Sequence, residues 1–125
     1  MIRAAALAAA VGAAACGALR SGEGEVDRVM LLWWKTPADR ASHAHIERVG
    51  SGFVGRVPGL TRVSVGRPLL DDPQRELDHD AALVLNFVDR AALTAFVEHP
   101  AHARAVMELL APHVERVQIY DVLLR

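Results

Sequence analysis

In the stretch HPAH, His99 and His102 bracket a proline at the point where an apolar helical period begins. Imidazole has an ordinary pKa near ~6.5, so it takes up or releases a proton close to neutral pH. The pair is therefore a candidate for general-base chemistry, ligand recognition or metal binding. A helix N-terminus disfavours the charged ring, which keeps His102 usable as a base. His102 also shares an inward-facing helical stripe with Val106 and Leu109. Two readings fit that placement: the wall of a ligand pocket, or a partly buried ring satisfied by a backbone carbonyl. His99 precedes Pro100 and is biased out of helical geometry. It reads as a structural residue at a helix end, on the edge of any such pocket.

Metal binding needs more ligands than this pair supplies. The second cluster, HAH at 43–45, puts His43 and His45 on different sides of a helix. No cysteine or acidic cluster completes a coordination sphere, so neither a metal nor another cofactor is expected. Nucleic acid is excluded as a partner on charge, because the net charge is −1 and the cations form no stripe.

The elements that must carry these residues follow from periodicity. The run VMLLWW at 29–34 is apolar throughout and reads as a strand buried on both faces. A helix is expected next, with Thr36 as cap, Pro37 at its first position and Asp39 near its positive end. Ile46, Val49, Phe53 and Val57 continue its apolar stripe, although Gly50, Gly52 and Gly55 each weaken it by up to ~1 kcal/mol. LTRVSVG at 60–66 alternates as a half-exposed strand, and a long polar connection follows it. AALVLNF at 81–87 is a second strand apolar on both faces. It lacks the exposed aromatics of an RNA-recognition sheet, which shares this element order. Asp89 caps a helix that Pro100 breaks and restarts as far as Leu110, and a last strand spans 117–124.

The order is β-α-β-β-α-β with the second helix split, which makes a single sheet with helices on one side. Helices on one side cover only one sheet face. Since two strands are apolar on both faces, a second copy of the chain is the simplest cover, and a homodimer is expected.

The first 25 residues are separate from this domain. Arg3 precedes a short apolar run, with small residues leading to Cys16, the one cysteine of the chain. The run is too short to span a bilayer, which needs ~20 residues. A charged start, a short apolar segment and small residues match a signal peptide, and the Cys matches a lipobox. Ala13 stands where such boxes usually carry Leu. The expectation is an acylated Cys16, a Gly-rich tether through residue 25 and an extracytoplasmic domain over 26–125, held to the membrane only by its lipid. An Ala-rich helix is the alternative, as is a start codon placed too early in the gene of a cytoplasmic protein.

VMLLWWK, VPGL…VSVGRP, DAALVLNFVDRAALTAFVEHPAH and VQIYDV together resemble the stress-responsive dimeric α/β-barrel (Dabb) family. The resemblance covers essentially everything after Val26. It implies a ferredoxin-like fold whose sheets pair face to face as a dimeric α/β barrel. The family includes a plant polyketide cyclase in which the second histidine of HPAH is the general base, assisted by a tyrosine six residues earlier. His102 matches that histidine, while Phe96 replaces the tyrosine, Arg28 a strand-start histidine and Ala81 a further pocket histidine.

By the same resemblance, Arg28, Met30, Leu32 and Trp34 face the helices, and Val29, Leu31 and Trp33 face the partner sheet with Val84. The expected pocket is lined by Met30, Leu32, Leu83, Phe96 and His102, with Arg28 at its mouth as a cation for a carboxylate or enolate. Arg28 reads equally as a solvated strand end. Two functions follow: a module that binds a small apolar or aromatic molecule, or a cofactor-free cyclase, isomerase or monooxygenase with His102 as base. A purely structural dimer is the plainest alternative.

Overall fold

The computed structural model describes residues 24–36, 39–69 and 79–124. The leader with Cys16, Pro37 and most of the 67–80 connection lie outside the described residues. The elements are β1 Val26–Trp34, α1 Arg40–Ser51, β2 Leu60–Gly66, β3 Ala81–Phe87, α2 Arg90–Glu98, α3 Pro100–Leu110 and β4 Val114–Leu123. The strands form one antiparallel sheet in the order β2-β3-β1-β4, which is the ferredoxin-like α+β fold.

Strand alternation divides the sheet into two chemical faces. Val26, Met30, Leu32 and Trp34 of β1 point to the helices and join Leu83, Leu85 and Phe87 of β3 in the core. Ile46 of α1, Leu93 and Phe96 of α2, and Val106, Leu109 and Leu110 of α3 close that core from the other side. On the far face Val29 lies opposite Val84 and Leu31 opposite Ala82, and all four are only half buried.

β1 and β4 each begin three residues earlier than their apolar runs indicate. β4 is extended by Val114, buried opposite Trp34, and by Arg116, which lies over the Trp33 ring. β1 is extended by polar residues that find partners along the sheet. Arg28 lies opposite Asp121 in the ladder and binds it through Nε and Nη2 at 2.9 and 3.0 Å. Asp27 lies opposite Asn86 and accepts its Nδ2–H at 2.6 Å.

The start of α1 differs from expectation. Its cap is Asp39 rather than Thr36, because the Asp39 carboxylate accepts the Ser42 N–H at 2.9 Å. The buried Ser42 hydroxyl gives its one proton to the other carboxylate oxygen. His113, in the turn before β4, therefore donates from Nδ1 to Ser42 Oγ at 2.7 Å. One cap thus ties the helix start to the base of β4.

The end of α1 also comes early, at Ser51 instead of Val57. Gly50 is there for packing, since a Cβ would sit 3.2 Å from Val63 of β2. Beyond it Phe53 and Val57 leave the helix and enter a turn in which Gly55 has φ +89°. Gly59 follows at φ +79°, so close to α2 that a Cβ would overlap Ala92. The split after Glu98 is as expected. His99, extended at φ −95° and ψ 101°, ends α2 and starts α3, with Pro100 in the first turn.

The Ser42 hydroxyl, the Ser42 N–H and the nearby His113 hold the Asp39 carboxyl below the ordinary aspartate range. With the folded value lowered, the contact stabilises the protein above the unfolded-state pKa of about 3.9. It is lost as pH falls through the lower folded value. Asparagine also caps helices but carries no titrating group. Between about pH 4 and pH 2 the melting temperature of Asp39→Asn should fall less steeply than that of the unaltered protein. Parallel slopes in thermal melts would contradict this.

Candidate functional site

The break at His99 brings four rings into a column. Phe87, at the end of β3, touches Phe96 of α2 with ring centroids 5.4 Å apart. Phe96 lies nearly parallel to His102, at 6.4 Å and 11°. His102 stacks in turn on His99, at 4.1 Å and 16°. The column runs from the core, where Phe87 has no exposure, to the surface, where His99 is exposed. His102 sits part-way along it, in the first turn of α3, with its N–H donated to the His99 carbonyl at 3.0 Å.

A cavity of about 180 Å³ opens beside His102. Its walls are Phe53, Arg56 and Val57 from the turn after α1, and Ala105 from the next turn of α3. The imidazole therefore lies between the rings of Phe96 and His99 and also borders open space. Its surroundings are mainly apolar, and Arg56 supplies the second polar group.

The expected lining is distributed differently around this cavity. Met30, Leu32 and Leu83, at 2%, 0% and 1% exposure, belong to the packed core. Phe96, at 3%, backs His102 without lining the cavity, and its ring offers no hydroxyl there. Arg28 is bound to Asp121, which borders a separate cavity of about 290 Å³ with Val26, Arg90, Leu93, Thr94 and Leu123. The structure thus brings His102 and Phe96 together and puts Arg28 in an ion pair elsewhere. His99 lies at the outer end of the ring column. Among the described residues no three His, Cys, Asp or Glu side chains are grouped to hold a metal ion.

Phe53, Arg56 and Val57 were hidden from sequence reasoning by the helical period. Phe53 and Val57 continue the stripe of α1, so they read as helix core. The available signal was the triplet of glycines at 50, 52 and 55, which marks the end of the helix and a turn.

On the opposite sheet face Trp33 is half buried and carries the Arg116 guanidinium 4.2 Å above its ring. Gln118 hydrogen-bonds Tyr120 on the same face, where the Tyr120 ring is 48% exposed. A face bearing Val29, Leu31, Trp33 and Val84 is more apolar than solvent contact requires.

A four-stranded antiparallel sheet with helices on one side and the HPAH histidines at a helix break defines a ferredoxin-like α+β domain. The chain belongs to the Dabb family, the stress responsive A/B barrel domain, whose family model matches residues 26–124. Solved structures of the same fold include a dimeric ferredoxin-like protein of unknown function from Jannaschia sp. CCS1. It is 24% identical with a TM-score of 0.61, over 81% of this chain and 100% of that one. A hydroxynitrile lyase from Passiflora edulis is 13% identical with a TM-score of 0.66, over 82% and 95%. SnoaB, a cofactor-independent oxygenase from Streptomyces nogalater, is 17% identical with a TM-score of 0.59, over 82% and 94%. No curated protein matches the sequence.

Proposed function

We propose that this protein binds a small apolar or aromatic molecule beside His102, as a homodimer held outside the cytoplasmic membrane by a lipid on Cys16. The observation that carries the binding reading is the imidazole of His102 bordering a cavity whose other walls are mostly apolar. Such a site holds its ligand by apolar contact and orients it through one or two polar groups. His102→Ala should weaken the ligand by ~1–3 kcal/mol, the usual loss when one polar partner is removed. Calorimetry with any co-purified ligand identified by native mass spectrometry measures this. Unchanged affinity would remove His102 from the site.

The second reading is a cofactor-free enzyme in which His102 acts as general base. It is supported by the placement of that imidazole at a cavity and by the enzymes that share this fold. Phe96 supplies no hydroxyl to assist the base, which weighs against the polyketide-cyclase version of this chemistry. If His102 is a base, His102→Ala abolishes turnover of that ligand instead of weakening its binding alone.

The homodimer is supported by the half-buried apolar face at Val29, Leu31, Trp33 and Val84, and by the dimeric description of the Jannaschia protein. Trp33→Asp would remove the large apolar ring from that seam and put a carboxylate from each protomer there, beside Arg116. Light scattering should show a dimer for the unaltered protein and a monomer for Trp33→Asp. A monomer in both cases at tens of micromolar would overturn the assembly.

The anchor is supported by Arg3, the short apolar run and the lone Cys16. Mass spectrometry of protein from native membranes should find acylated Cys16 as the first residue. An intact Met1 would refute it.

A further inference from the structure

We infer that the His102 cavity selects a small monoanion, a carboxylate on a single ring or short apolar body, and that Arg56 is the residue that recognises it. This rests on the reading of that cavity as a binding site and adds the charge of its ligand.

The basis is the way Arg56 is held. Gly55 reverses the chain at φ +89°, and no neighbour comes near the position its Cβ would take, so backbone geometry alone accounts for glycine there. The reversal returns Arg56 over the end of α1. Its Nε donates to the Gly52 carbonyl at 2.8 Å, and its guanidinium carbon lies 5.4 Å from the centre of the Phe53 ring. One hydrogen bond and one ring thus fix the plane of the group. Among the described residues both Nη groups are left without a protein hydrogen bond, and no carboxylate pairs with the guanidinium.

Arg28 shows the contrast, because Asp121 already occupies its fork. The walls around Arg56 contain no acid: Phe53, Val57 and Ala105 are apolar, and His102 is neutral or cationic. The cavity therefore carries an uncompensated positive charge beside apolar surface. A carboxylate is the anion that a guanidinium fork accepts with two parallel hydrogen bonds. The ligand body must be small, because about 180 Å³ lies below the ~300 Å³ at which drug-sized sites begin.

Benzoate and the isosteric neutral benzamide separate the claims when titrated into the purified full chain, with the ring resonances of His102 followed by NMR. Benzoate should shift them with an affinity at least about tenfold above that of benzamide, as expected for a charge-assisted pair. Arg56→Gln should abolish the difference, and Arg56→Lys should restore part of it without the bidentate geometry. Arg56 is exposed, and circular dichroism is to check that the variants fold. Equal affinities for the two probes, or a benzoate preference that survives Arg56→Gln, would overturn the anion inference while leaving the cavity a binding site. If neither probe moves the His102 resonances, the inference falls together with the binding reading.

Discussion

The register of β1 is the constraint on which the rest of the structure depends. β1 is hydrogen-bonded to β3 on one side and β4 on the other, and its residues alternate between the helix face and the far face. A slip of one residue would send Met30 and Leu32 outward and bring Leu31 and Trp33 into the core. Both faces are apolar, so alternation alone would hold that register weakly. Polar pairs at one end of the strand resolve the ambiguity. Arg28 finds Asp121 only on the helix face, and Asp27 finds Asn86 only on the other. Each pair is one rung of the ladder, and together they label the two faces.

Below this sheet the helix layer is placed by its caps. Asp39 and Asp89 each accept an N–H from the third residue onward and fix where α1 and α2 begin. The Asp39 cap reaches farther, through Ser42 to His113, so the start of the first helix and the start of the last strand are fixed together. The α3 end of this layer is set by His99, which belongs to neither helix and bounds both.

Much of the fold was legible in the sequence because it depends on local periodicity. Strands 60–66 and 81–87 and the helix break at Pro100 stand where alternation and proline put them. The misplaced boundaries have a common cause: partners distant in sequence. Asp27 and Arg28 look like the end of a strand until Asn86 and Asp121 are beside them. Thr36 and Asp39 are both good caps, and the contact with His113, seventy-one residues beyond Ser42, is invisible to local reading. The candidate site was legible in one residue. His102 followed from its inward stripe and from the family resemblance. Arg56 did not, because its place depends on a turn that interrupts the apolar period of Phe53 and Val57.

The single extended residue between α2 and α3 has a consequence for how this region tolerates change in length. A helix turns about 100° per residue. With only His99 as a joint, there is no slack in which an added or deleted residue could be absorbed. An indel near the joint is transmitted to α3 as a rotation, carrying Val106, Leu109 and His102 around the helix axis together. The core would lose two of its walls in the same step that turns the imidazole away from Phe96. Packing and site are therefore in phase by construction, and the joint can vary in residue type far more readily than in length.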